Sequence, residues 1–141
     1  MTSTVTVESA PPRFLENITV GRHTLQADEP LSVGGGDLAP TPYELLLGAL
    51  GACKTITLRM YAERKQWPLE GVRVNLSHSK VHAEDCVDCD KRDAKMDVID
   101  RIVFLEGPLN EEQRTKLIEI AERCPVHQTL NSKIQVNTRL E

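Results

Sequence analysis

Between Pro42 and about Trp67 the sequence encodes one long helix, and no other segment limits the fold as strongly. Leu46, Leu50, Cys53, Thr57 and Met60 recur at helical spacing, and the remaining faces are also apolar as far as Ile56. A helix of this composition is expected to be buried nearly all round. Its start carries a separate signal: Thr41-Pro42-Tyr43-Glu44 fits a capping box in which the Glu44 carboxylate bonds the Thr41 amide. Arg59, Glu63, Arg64 and Lys65 bring the last turns into water with basic charge suited to the C-terminal dipole, and Pro68 stops the helix.

Around that helix the period changes from two to helical and back, which implies an α+β chain. Thr4-Val5-Thr6-Val7 and the Ile18 to Leu25 stretch, broken at Gly21, read as strands of an antiparallel hairpin or meander. Gly34-Gly35-Gly36 reads as a flexible connection. Val72, Val74 and Leu76 alternate with Arg73, Asn75 and Ser77 in a half-buried strand that continues toward Val81. After a polar segment, Ala83 to Lys95, a second strand runs from Met96 to Leu105, with Ile102 and Phe104 on one side and Val103 and Leu105 on the other. Asn110-Glu111-Glu112-Gln113 opens a further helix whose inward stripe is Leu117, Ile120, Ala121 and Cys124. Ile134, Val136 and Thr138 are expected to supply a final strand. No repeat and no linker divides the chain, so residues 1–141 read as one domain.

Composition narrows the function classes. The 17 basic and 21 acidic residues give a net charge of -4 without a basic run, which argues against a nucleic-acid partner. No apolar stretch is long enough to span a bilayer, and Met1-Thr2-Ser3-Thr4-Val5 lacks the pattern of a secretory leader. A soluble, cytoplasmic protein is expected. Aromatic residues make up only 4%, and no glycine motif for nucleotide phosphates occurs, so no cofactor of either kind is expected.

In a reducing compartment four cysteines suggest catalysis, metal binding or packing rather than a structural framework. Cys53 lies within the apolar helix, where its plainest role is that of a small buried hydrophobe. Cys124 directly precedes Pro125. Since proline favours the first helical position, Cys124 is read as the cap of a short helix whose amide end would lower the thiol pKa. The two thiols form a candidate dithiol pair. His82, Cys86 and Cys89 form a separate His-x3-Cys-x2-Cys set among Glu84, Asp85, Asp88 and Asp90. Zinc is the candidate ligand, with His78, Asp90 or water as the fourth donor, and redox exchange between Cys86 and Cys89 is the rival. His127 could tune the thiol at the Cys124 helix start.

Two stretches carry a resemblance. Pro42-Tyr43-Glu44-Leu45-Leu46-Leu47-Gly48-Ala49-Leu50-Gly51-Ala52-Cys53 and Ala121-Glu122-Arg123-Cys124-Pro125-Val126-His127 resemble the osmotically inducible protein C and organic hydroperoxide resistance superfamily. His82-Ala83-Glu84-Asp85-Cys86-Val87-Asp88-Cys89 is similar to a subgroup some of whose members are fused to an α/β-hydrolase domain. The resemblance implies an intertwined homodimer, with antiparallel sheets wrapped around two central helices and active sites at the interface. It implies reduction of organic hydroperoxides by Cys53 as the attacking thiol, resolution by Cys124, and rereduction by a dithiol such as a dihydrolipoyl group. No cofactor is required for that chemistry. The family's glutamate and arginine fall on Glu44 and Arg22, with Arg13 also available. Glu44 stands nine residues before Cys53 (53 minus 44), one fewer than in the hydroperoxide-specific branch. A non-catalytic protein binding a small lipophilic ligand, or sensing redox state or metal through Cys86 and Cys89, is the alternative.

Overall fold

Alternating residues and a two-residue turn produce the first sheet. The structure, a computed structural model, describes residues 3–82 and 95–141, with the backbone alone at 81, 82 and 95. Strands β1 (Thr6–Ser9), β2 (Glu16–Val20) and β3 (His23–Ala27) pair in sequence order as an antiparallel meander. Val20 faces His23 across the turn, and Gly21, at φ +58°, takes the left-handed position there. The meander expected from the alternation is therefore present, with β1 two residues later than its pattern suggested.

A short 3-10 turn (Leu31–Val33) leads into the glycine triplet. This segment is a fixed turn rather than the expected flexible connection. Gly34 and Gly35 donate to Leu31 and Pro30, and Asp37 donates to Glu29. A Cβ on Gly35 would stand 1.9 Å from the Glu29 carbonyl oxygen, so glycine is required by close backbone approach. Buried Asp28 organises the turn, accepting from the amides of Glu29 at 2.7 Å and Leu38 at 3.1 Å. Those amides, Glu29 first, hold its carboxyl below the ordinary aspartate range against the opposing effect of burial, with Gly36 adding to them. A folded pKa below the unfolded one gives stability that is present above the unfolded value and lost as pH falls through the folded value. Hydrogen exchange at the Glu29 and Leu38 amides should therefore stay slow down to about pH 4 and accelerate below it. In Asp28→Asn one of the two amides should be fast throughout, because the side-chain nitrogen that replaces one carboxylate oxygen cannot accept.

Helix α1 (Pro42–Lys65) begins as the sequence predicts. Glu44 Oε1 accepts from the Thr41 amide at 2.9 Å, and Thr41 Oγ1 accepts from the Glu44 amide at 3.2 Å. Its end is set before Pro68 by Gln66, at φ +56°: the Trp67 amide reaches back to Ala62 and the Gln66 amide to Glu63. The chain groups into two compact units, Met1–Leu46 and Leu47–Glu141, with the division inside this helix.

In the second unit, β4 (Gly71–His82) and β5 (Lys95–Glu106) form an antiparallel ribbon paired from Gly71 with Glu106 to His82 with Lys95. Val72, Val103 and Leu105 pack inward, whereas Ile102 and Phe104 face outward with the Arg73 guanidinium 4.3 Å over the Phe104 ring. Helix α2 (Glu111–Ala121) has the expected capping box, with Asn110 and Gln113 exchanging hydrogen bonds at 2.8 and 3.0 Å. The core joins Leu58 and Ala62 of α1 to Leu117, Ile120 and Ala121 of α2, with Leu109.

Two expectations are corrected. Helix α1 is buried along a stripe, Leu50, Gly51, Lys54, Leu58 and Ala62, and not all round: Ile56 and Met60 are exposed. Among the described residues no ladder pairs with the stretch around Ile134, Val136 and Thr138, which is not a strand, and Ile134 and Val136 are exposed.

Candidate active site

The α2–α3 junction brings the two thiols together. Ala121 ends α2, and Pro125 begins the short helix α3 (Pro125–Leu130), with Cys124 as its cap. Cys124 is fully buried and Cys53 half-buried; both are free thiols, and the Cys53 side chain stands near enough to Cys124 to act on its ionisation. Residues 71 positions apart (124 minus 53) thus meet through helix packing.

The expected electrostatic effect of the proline-started helix is reversed in sum. Burial pushes the Cys124 thiol above its ordinary pKa; the His127 amide and the Lys54 charge lower it, while the Cys53 side chain adds to the rise. A helix of 6 residues offers too little opposing dipole for a thiol with no exposed surface.

Three further groups complete the site, and none was singled out from the sequence. Lys54 has no exposed surface; its Nζ lies 2.6 Å from the Ala121 carbonyl oxygen and 3.0 Å from His127 Nδ1. Burial, and then the Arg101 charge, hold its pKa below the usual lysine value, while Cys124, Glu122 and Cys53 act in the opposite direction. Arg101 on β5 grips both carboxylate oxygens of Glu122, the residue that closes α2. Burial raises the Glu122 carboxyl, but the Arg101 contact, with Lys54 and His127 behind it, outweighs that and leaves it below its ordinary value. His127 Nδ1 stands 3.6 Å from Glu122, and burial together with the Lys54 and Arg101 charges lowers its pKa, favouring the neutral ring.

The other expected residues have local contacts of their own. Glu44 serves the α1 cap, and the Thr41 amide and then its hydroxyl hold its carboxyl below the usual range. Arg22 is exposed in the β2–β3 turn, and Arg13 lies over Phe14 at 5.4 Å. No hydrogen bond or ion pair joins Arg22 to Glu44 among the described residues. Cys86, Cys89 and Asp90 lie outside the described residues, as does the side chain of His82. Among the described residues, no three metal-ligating groups cluster, and His78 bonds Asp97 at 2.7 Å. A cleft of about 600 Å³, lined by Thr57, Met60, Tyr61, Arg64, Ile120 and Arg123, runs along α1 one turn beyond Cys53.

A long helix carrying one thiol, a β-ribbon, and a proline-started turn carrying the second define an OsmC-like α+β domain. The sequence model of the OsmC-like protein family matches residues 34–139, and the chain belongs to that family. Its fold is similar to that of an OsmC-like protein from Mycoplasma pneumoniae, with a TM-score of 0.72 and 19% identity over 92% of this chain and 87% of the other. It is also similar to the organic hydroperoxide resistance protein OsmC from Legionella pneumophila, at TM-score 0.65, 19% identity, and 93% and 90% coverage. A third similar structure is the organic hydroperoxide resistance protein OhrB of Bacillus subtilis, at TM-score 0.63, 18% identity, and 93% and 91% coverage. No curated protein matches the sequence.

Proposed function

We propose that the protein is a thiol-dependent peroxidase that reduces organic hydroperoxides, and the observation that carries this reading is the nearness of two free thiols, Cys53 and Cys124, each on its own helix element. Cys53, the more accessible of the two, attacks the distal peroxide oxygen as thiolate; the O–O bond breaks, the alkoxide leaves and takes a proton, and Cys53 becomes a sulfenic acid. Cys124 then displaces hydroxide, which leaves as water, and the disulfide forms. An external dithiol of the dihydrolipoyl type returns both thiols. By the resemblance alone, Arg22 (with Arg13 as the alternative) and Glu44 are assigned the role of stabilising the Cys53 thiolate. Family membership supports a homodimer, and Ile56 and Met60, exposed on α1, are apolar surface that a second copy would cover. No helix among the described residues is long and apolar enough to cross a membrane, and a reducing cytoplasm fits free thiols.

The test is direct. One equivalent of tert-butyl hydroperoxide should remove two thiols and yield a Cys53–Cys124 crosslinked peptide by mass spectrometry, and dihydrolipoamide should sustain turnover. Absence of thiol loss would remove the peroxidase reading. The rival, a metal or redox sensor, rests on the sequence pattern of His82, Cys86 and Cys89. Metal analysis of the protein with and without Cys86→Ser separates zinc binding at His82, Cys86 and Cys89 from the peroxidase reading.

A further inference from the structure

A lysine without exposed surface is rare because its ammonium loses hydration that few partners replace. Lys54 retains two acceptors, and both flank Cys124. Ala121 lies three residues before it (124 minus 121) and His127 three after (127 minus 124). One side chain of α1, adjacent in sequence to Cys53, therefore ties together the two ends of the turn that presents the second thiol. No carboxylate lies within ion-pair distance of Lys54 among the described residues, and Glu122 is engaged by Arg101. The nearby groups able to balance a Lys54 charge are Glu122, already gripped by Arg101, and the thiols themselves, once ionised.

We propose that Lys54 is the positioning residue of the thiol pair: it holds Cys124 against Cys53 through Ala121 and His127, and carries positive charge while Cys124 exists as thiolate. The use made of that thiolate rests on the peroxidase reading above. In the resolving step the Cys124 sulfur donates its electron pair to the Cys53 sulfur, and the S–O bond of the sulfenic acid breaks. The proton given up by Cys124 leaves with the hydroxide as water. Each sulfur ends in the disulfide, so the oxidation is internal to the pair and needs no further oxidant. The charged groups facing Lys54 are Cys53 on its own helix, Arg101 from β5, and Glu122, Cys124 and His127 from the α2–α3 junction. Of these, Arg101 opposes the ammonium, while Cys124, Glu122 and Cys53 favour it, so the lysine charge depends in part on the state of Cys124.

The experiment isolates Cys124 in a background with Cys53, Cys86 and Cys89 all changed to serine, and follows its alkylation by iodoacetamide against pH. Lys54→Met should raise the midpoint by about one pH unit or more, because the ion partner is lost. Lys54→Gln, which retains a donor for Ala121 without the charge, should do the same, and Lys54→Arg should restore most of the original profile. With Cys53 present, both uncharged variants should close the disulfide about tenfold more slowly after a hydroperoxide pulse and accumulate Cys53 sulfinic acid. An unchanged alkylation midpoint in either folded uncharged variant would overturn the assignment. If the unsubstituted protein fails to react with hydroperoxide, the peroxidase reading falls, while the alkylation profiles still decide the role of Lys54.

Discussion

Serine in place of Cys53 is expected to reduce hydroperoxide consumption to the rate of the buffer while leaving the fold in place. The argument is chemical first. A serine hydroxyl at neutral pH is neither ionised nor soft enough to attack a peroxide oxygen, so no residual mechanism remains at that position. It is also structural: Cys53 is half-buried and makes no disulfide, so exchanging sulfur for oxygen should cost less than about 1 kcal/mol. Cys124→Ser should behave differently. The first oxidation proceeds, one equivalent of alcohol is released, and the unresolved sulfenic acid advances to sulfinic acid with further peroxide. Intact mass after a peroxide pulse distinguishes the two variants, since only Cys124→Ser gains oxygen at Cys53. Turnover at the original rate in Cys53→Ser would show that this thiol is not the attacker, and would move attention to Cys86 and Cys89.

What the sequence made legible is what neighbouring residues encode. The capping boxes at Thr41 and Asn110, the turn at Gly21 and the cap at Cys124 each depend on a few adjacent positions, and each is present in the structure. The inward stripe of α2 was also readable in Leu117, Ile120 and Ala121, which keep one helical face, whereas Cys124, though buried, lies past the helix end in extended backbone. The inward stripe of α1 was displaced by one position. Spacing of apolar residues selected Leu46, Leu50, Cys53, Thr57 and Met60, whereas the buried row runs through Leu50, Lys54, Leu58 and Ala62. A lysine in a four-residue repeat of buried apolar positions was the signal available for Lys54, and counting only apolar residues passed over it. Arg101 and Glu122 offered no local signal, since they meet only when β5 packs beside the end of α2. The thiol pKa was misjudged for a related reason. A cap is a local property, but the burial that dominates Cys124 comes from the whole core.

That dependence on the core makes Leu117→Ala the largest expected loss of stability. Leu117 has no exposed surface and sits in the cluster joining α1 to α2, with Leu58 and Ala62 opposite. Truncation there removes transfer free energy and leaves a cavity that α1, held at its start by the capping box and at its end by the turn at Gln66, cannot readily close. A loss of about 3 kcal/mol is expected, which for a chain of this size lowers the melting temperature by roughly 10 °C. The consequence should reach the site as well, because Ala121, whose carbonyl anchors Lys54, lies one helical turn beyond Leu117. Leu117→Ala should therefore slow disulfide closure as well as lower the melting temperature, yet leave the pH midpoint of Cys124 alkylation close to that of the unsubstituted protein, since the Lys54 charge is retained. Calorimetry and the alkylation profile of the same sample check both parts. A melting temperature changed by less than about 2 °C would mean that the α1–α2 contact is not what holds the thiols together.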